Sequence, residues 1–271
     1  MTNENQILSE NGVPLAATPC MEDQYETVYR KPSGMIDVPM HYCPGCAHST
    51  VHKLLMEVID ELGIGEKTIG VAPVGCSVFL YDYLDIDMQE AAHGRAPAVA
   101  TGIKRLLPER YVFTYQGDGD LAAIGIGETI HAINRGENIL IIFMNNAVYG
   151  MTSGQMAPTT LLGMHTTTSP DGRDALQYGE PIKVSELIAQ LPGALYVTRQ
   201  TITSANAVRR CKKAILNGFK YLDRGRGTCF IEVIGNCPSN WKMTPLESMK
   251  FIDEQMTKTF PLGDIKVPAT K

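Results

Sequence analysis

The chain has 271 residues, 44% of them hydrophobic and 20% charged, and carries a net charge of −5. That length suits one large α/β domain with a substantial core, and the acidic balance argues against a nucleic-acid partner and fits a cytoplasmic enzyme. The longest apolar runs fall far short of a membrane span, and the polar, acidic start lacks the pattern of an export signal, so the seven cysteines point to reduced thiols or metal ligands, not a disulfide framework.

Residues 1–30 hold five acidic residues, one basic residue and no sustained periodicity. They read as an extended N-terminal arm or a disordered tail, and the arm is expected to run to residue 40. Pro32, Gly34 and Pro39 then lead into His41-Tyr42-Cys43-Pro44-Gly45-Cys46. The Cys-x-x-Cys opens a helix that continues through Ser49, Leu54, Leu55, Val58 and Leu62 until Gly63 stops it. Such a pair fits a redox dithiol, half of a zinc site, half of an iron–sulfur site, or two inert thiols. Cys76 follows a strand over 68–72, and Cys237 follows a strand over 228–234. Four cysteines at loop-like positions can therefore meet in space. Cys20 lies in the arm, while Cys211 and Cys229 fall in helix and strand patterns where buried thiols are common.

An acidic, aromatic run over 81–89 leads to His93-Gly94-Arg95, which reads either as an anion clamp or as structural capping. A helix with Ala98, Ala100, Thr101 and Gly102 follows. A β-rich run over 111–115 stops at Gly117-Asp118-Gly119, a helical pattern occupies 121–134, and a second apolar run over 139–144 stops at Asn145-Asn146. Strand, turn, helix, strand, turn predicts a right-handed βαβ unit with both turns at one edge of a parallel sheet, where open α/β sheets bind ligands. The glycines beside Asp118 let backbone approach a phosphate. The Asp118 carboxylate and the Asn146 side-chain carbonyl offer two hard oxygens to one cation, and Mg²⁺ suits them.

Gly-Asp-Gly followed by Asn-Asn after the 25 residues 120–144 resembles the diphosphate-anchoring motif of thiamine diphosphate enzymes. Tyr149-Gly150-Met151-Thr152-Ser153-Gly154-Gln155 narrows the resemblance to the thiamine-binding β subunit of 2-oxoacid:ferredoxin oxidoreductases. The resemblance implies a doubly wound, mostly parallel α/β fold over 41–244. It also implies Mg²⁺ held by Asp118, Asn146 and the Val148 carbonyl, and thiamine diphosphate against Gly117, Asp118, Gly119, Asp120, Asn146, Val148, Tyr149, Gly150, Met151, Thr152, Cys76, Ser77 and His93. His93, Arg95 and Thr152 are expected to act on the reacting groups.

The cysteine spacing, Cys-x-x-Cys, a third Cys after 29 residues and a distant Cys-Pro, resembles this family's cluster pattern and implies a [4Fe–4S] cluster on Cys43, Cys46, Cys76 and Cys237. A zinc site would use the same four residues.

Residues 151–170 contain no Lys, Arg, Asp or Glu, and they read as a segment that covers the cofactor, shapes the substrate site or is buried against another subunit. Met151, Met156 and Met164 would give it an adaptable apolar wall. The lack of a basic residue favours a branched-chain 2-oxoacid over 2-oxoglutarate. A short helix over 184–190, a strand over 195–198 and a helix over 204–222 follow, with a turn carrying Arg224 and Arg226 before the last strand. Residues 245–271 are expected as a helix to about 256 and then an arm.

The resemblance implies CoA-dependent oxidative decarboxylation of a 2-oxoacid, with ferredoxin as electron acceptor. A chain holding one such fold lacks the second thiamine-binding domain, so an α subunit is expected to complete the site, with γ and ferredoxin-like δ subunits in a hetero-oligomer. Other readings are a non-oxidative thiamine enzyme component with zinc, and a non-catalytic α/β binding subunit.

Overall fold

The computed structural model describes residues 27–269. Helix α1 (Ala47–Leu62) begins after extended Cys46 and ends where Gly63 takes a φ of 61°, a left-handed stop that glycine adopts without steric cost. Its buried residues Val51, Leu54, Leu55, Val58 and Ile59 recur at helical spacing and form one apolar face.

The remaining elements follow in order: β1 (Thr68–Ala72), β2 (Asp87–Glu90), α2 (Ala96–Leu106), β3 (Tyr111–Gly117), α3 (Ile126–Asn134), β4 (Leu140–Asn145), the small ladder β5 (Val148–Tyr149) and β6 (Gln155–Met156), α4 (Ala175–Tyr178), α5 (Val184–Ala189), β7 (Ala194–Thr201), α6 (Ala205–Leu222), β8 (Thr228–Ile234), α7 (Pro238–Trp241), α8 (Pro245–Phe251) and β9 (Gly263–Lys266). The main sheet has the order β2-β1-β3-β4-β8-β7-β9. All its pairings are parallel except β7 with β9.

Alternation along the strands divides the core between the two faces of the sheet. Phe113, Tyr115, Leu140, Ile142 and Met144 pack with α1 and with Cys211, Ile215 and Phe219 of α6. Val112, Ile141, Phe143 and Phe230 pack with Ala96 and Ala100 of α2 and with Val184 and Ile188 of α5. The expected doubly wound, mostly parallel sheet is what the chain forms. Among the described residues, no helix is long and apolar enough to cross a membrane.

Three expectations change. The helix expected over 121–134 is two pieces: a wide π-helical turn (Asp118–Ile124) and α3, separated at Gly125. The 93–94 backbone crosses there, and a Cβ on Gly125 would collide with the Asp120 carbonyl oxygen and lie 2.6 Å from that of Gly94. The stretch 245–271 does begin with a helix, but its expected arm returns to the sheet as β9, with Tyr196 donating to Asp264 at 2.9 Å. Of the N-terminal arm, residues 1–26 lie outside the described residues. The part from Pro32 onward belongs to the compact unit, with Ile36 N donating to Tyr83 O at 3.0 Å and Asp85 N to Gly34 O at 2.8 Å.

Candidate active site

Four parallel strands end side by side, and the loops after them carry the chemistry: 73–77 after β1, 118–120 after β3, 146–152 after β4 and 235–237 after β8. The first three surround a cavity of about 230 Å³ whose lining includes Cys76, Ser77, His93, Gly117, Asp118, Gly119, Asp120, Asn146, Val148, Tyr149, Gly150, Met151 and Thr152, and the fourth brings Cys237 up to Gly150. Carboxyl ends of adjacent parallel strands are the ligand-binding edge of such a sheet.

Asp118 is buried, 3% exposed. Its Oδ1 accepts from Thr159 Oγ1 at 2.8 Å and its Oδ2 from Asn146 N at 3.0 Å. Burial pushes its pKa up to about 7, although those hydrogen bonds pull the other way. The terminal amide atom of Asn146 lies 2.8 Å from both Asp118 Oδ2 and the Val148 carbonyl oxygen. With the amide oxygen in that place, three oxygens converge with no hydrogen between them, although Asp118 Oδ2 still accepts from Asn146 N and Asn146 Oδ1 from Val148 N at 3.4 Å; with the nitrogen there, it donates to both of its neighbours. Three inward oxygens are a donor set for a hard divalent cation, and the amide can turn to satisfy itself when no cation is present. These residues therefore fit Mg²⁺. Bare backbone at Gly117, where a Cβ would have nothing within 4 Å, leaves room for a diphosphate, whereas a Cβ on Gly119 would press on the Tyr149 ring at 3.2 Å.

Asp120 lines the cavity as expected of a residue near the cofactor, but its carboxylate is held by the protein. It is 2% exposed, and its carboxylate accepts from Val74 N at 3.2 Å, Gly94 N at 2.9 Å, His93 Nδ1 at 2.8 Å and Gln116 Nε2 at 2.6 Å. With both oxygens engaged by protein donors, it braces the loops at 74 and 93–94 and orients His93, which remains in the cavity lining with no partner for its other nitrogen among the described residues. Arg95, expected to act on the reacting groups, instead pairs with Glu128 of α3 and is not among the lining residues, so of the expected clamp only His93 faces the cavity. Thr152 lies at the exposed mouth, donating from Oγ1 to Gln155 Oε1 at 2.5 Å.

The four cysteines gather on one side of this cavity. A Cβ on Gly150 would lie 3.1 Å from Cys76 Sγ and 3.6 Å from Cys237 Sγ, so the bare backbone there lets both thiols approach. Burial, reinforced by repulsion from Cys237, Cys46 and Cys43, pushes Cys76 up to about 12. Burial likewise raises Cys46 to about 11, with Cys237 and Cys43 adding to it. Asn240 Nδ2 donates to Cys237 Sγ at 3.1 Å and to Gly150 O at 2.9 Å. Among the described residues, no three His, Cys, Asp or Glu side chains converge as one metal ion requires. A single ion draws its thiolates to about 2.3 Å from one point, whereas a four-iron cluster holds them at separate corners. Thiols gathered in this way could serve either group, since each takes them as thiolates.

Sequence reasoning did not single out His48 or Thr159. His48 lines the cavity and is 3% exposed, with Nδ1 hydrogen bonded to Tyr115 OH at 3.0 Å and its pKa lowered to about 4 by burial. A polar residue on the apolar face of α1 was the available signal. Thr159 sits in the uncharged 151–170 loop.

This parallel sheet brings Asp118 and Asn146 together at its carboxyl edge, and residues 73–233 match the family of thiamine pyrophosphate enzymes, in their C-terminal TPP-binding domain. The chain belongs to this family, within its 2-oxoacid oxidoreductase subunits. It is 43% identical over 244 residues to the ketoisovalerate oxidoreductase subunit VorA of Methanothermobacter thermautotrophicus, covering 90% of this chain and 51% of that protein. It is 37% identical to the 2-oxoglutarate synthase subunit KorB of Methanocaldococcus jannaschii, covering 80% of this chain and 78% of that one. The 2-oxoglutarate:ferredoxin oxidoreductase of Magnetococcus marinus, with 2-oxoglutarate, coenzyme A and succinyl-CoA bound, shares the fold at a TM-score of 0.76 and 24% identity, covering 90% of this chain and 87% of that one. The chain spans about half the length of the ketoisovalerate relatives it matches, at 51%.

Proposed function

We propose that this chain is the thiamine diphosphate-binding subunit of a 2-oxoacid:ferredoxin oxidoreductase that converts a branched-chain 2-oxoacid and CoA to acyl-CoA and CO₂ in the cytoplasm, reducing two ferredoxins by one electron each. The observation that carries this reading is the convergence of Asp118, Asn146 and the Val148 carbonyl at the carboxyl edge of the sheet. In it, those three residues hold Mg²⁺ and through it the diphosphate. Thiamine diphosphate, when bound, supplies the electron sink for decarboxylation.

The protein's part is to bind, orient and exclude water. The Asp120 carboxylate keeps a proton on His93 Nδ1, which leaves Nε2 for a ligand oxygen or proton in the cavity. Thr152 offers a hydroxyl at the mouth, while Ile124 and Met151 give that mouth an apolar rim. Cys43, Cys46, Cys76 and Cys237 are the ligands of a [4Fe–4S] cluster beside the cavity, an electron acceptor that a non-oxidative decarboxylase does not need. An α subunit supplies the second thiamine-binding domain, and γ and ferredoxin-like δ subunits complete the assembly. Coenzyme A binding falls largely to these partners.

The substrate preference rests on charge. A second carboxylate would need a cation near the 151–170 loop, which contains no Lys or Arg. Arg173, just beyond that loop, is 6% exposed and donates to the carbonyls of Ala157, Pro158, Thr160, Tyr178, Gly179 and Glu180. It braces the loop and has no donor left for a substrate. The 37% identity to a 2-oxoglutarate synthase subunit supports that acid as the second reading. Anaerobic assays of the protein with its co-purifying subunits separate the two. With CoA and ferredoxin, kcat/KM for ketoisovalerate should exceed that for 2-oxoglutarate by at least about tenfold; the reverse ratio would establish the second reading.

A further inference from the structure

The cation-binding turn contains a conformation that its own residues do not favour. Ala147, between Asn146 and Val148, takes a φ of 59°, a left-handed value that an L residue with a Cβ adopts only when its surroundings impose it. The Ala147 N–H donates to Asn145 Oδ1 at 3.2 Å, closing a side-chain-to-backbone turn of the kind that Asn makes two residues ahead. The other end of that amide donates from Nδ2 to Glu232 Oε1 at 2.7 Å.

Glu232 is fully buried on β8, and its second oxygen accepts from Arg199 Nε at 2.8 Å and from Ser185 Oγ. Arg199, also fully buried, is held by Glu186 and by the Pro261 carbonyl at 3.0 Å. A buried ion pair is costly to desolvate and is seldom the most stable filling for a core. Here it has a definite local effect. An ionised carboxylate only accepts, so the Asn145 amide must face Glu232 with its nitrogen and the turn with its oxygen.

Resting on the reading that Asp118, Asn146 and Val148 hold Mg²⁺, we propose that Asn145, oriented by the buried Glu232–Arg199 pair, is the positioning residue that sets this cation site. It holds Ala147 left-handed so that the Asn146 side chain and the Val148 carbonyl face Asp118. The neighbouring carbonyls are fastened elsewhere: that of Asn145 by Gly235 N, that of Asn146 by Trp241 Nε1 at 3.2 Å, and that of Ala147 by Thr160 Oγ1 at 2.5 Å.

The test is calorimetric thiamine diphosphate binding across a Mg²⁺ series, on the protein purified with its subunits, with thermal unfolding as the fold control. Asn145→Ala should raise the Mg²⁺ needed for half-saturation about tenfold, in the range seen when residues behind metal ligands are removed. Adding Ala147→Gly should recover at least half of that loss on a logarithmic scale, because glycine takes the left-handed φ unaided. A folded Asn145→Ala with the unsubstituted Mg²⁺ requirement, or a double variant no better than the single, overturns the inference. Should Asn145→Ala not fold, Glu232→Gln carries the test: it frees the Asn145 amide to turn, and an unchanged Mg²⁺ requirement overturns the proposal. Absence of Mg²⁺-dependent binding in the unsubstituted protein would remove the cofactor reading and this inference with it, whereas unaffected variants beside a binding parent would remove this inference alone.

Discussion

Asp118 accepts a hydroxyl proton from Thr159, a residue 41 positions later in the chain. Removing one such bond to a buried carboxylate costs about 1.5–3 kcal/mol, so Thr159→Val should weaken Mg²⁺–thiamine diphosphate binding roughly tenfold or more, as titration calorimetry would read. His52 offers a test that does not involve the cofactor. It is fully buried, its Nδ1 has no partner among the described residues, its Nε2 is hydrogen bonded to Tyr42 OH at 2.6 Å, and burial holds its pKa well below 6.5. Neutral His52 therefore contributes stability that is complete above about pH 6.5 and lost as pH falls below it, where the unfolded chain gains a proton that the folded chain refuses. His52→Phe should flatten the fall in unfolding free energy between pH 7 and 5 by up to ~1.4 kcal/mol per pH unit. An unchanged slope in denaturant titrations would mean that His52 takes up its proton while folded. Asp118 and Asn146 were legible in the sequence because strand, glycine turn and spacing coincide. The partners of Asp120 and Arg95 were not, since apart from Gln116 these lie 26 or more residues away.

At the scale of elements, the crossing of the 93–94 loop over Gly125 is the least tolerant point of the site. A methyl there meets backbone at Asp120 and Gly94, which cannot rotate away. Gly125→Ala should cost about 1–3 kcal/mol of stability and lower cofactor affinity, because the displaced loop carries His93; a wild-type Tm would show that the two segments can separate freely. Strong periodicity made α1, α6 and strands β1, β3, β4 and β8 legible to within a residue or two. Sequence alone did not divide 118–134, because the break comes from another loop's backbone and not from a local breaker. For the same reason β9 was missed: a four-residue edge strand is defined by pairing with β7 and has little pattern of its own.

For the whole molecule, the proposed function assigns two tasks around one cavity: cation and diphosphate binding to Asp118 and Asn146, and electron acceptance to the cysteines. Cys76→Ala should therefore lower ferredoxin reduction far more than thiamine diphosphate affinity. Equal losses would make Cys76 a residue of the fold alone. Anaerobic protein should contain about four iron and four sulfide per chain beyond those of its partners, whereas one zinc without sulfide would keep the thiamine site and remove electron transfer from this subunit. The central claim is tested most directly by titrating thiamine diphosphate into the protein with its subunits, with Mg²⁺ and with EDTA, beside Asp118→Ala. The account predicts saturable binding that requires the cation and falls by more than about a hundredfold in the variant, the loss of ~2.7 kcal/mol or more. Binding indifferent to both Mg²⁺ and Asp118 would contradict it.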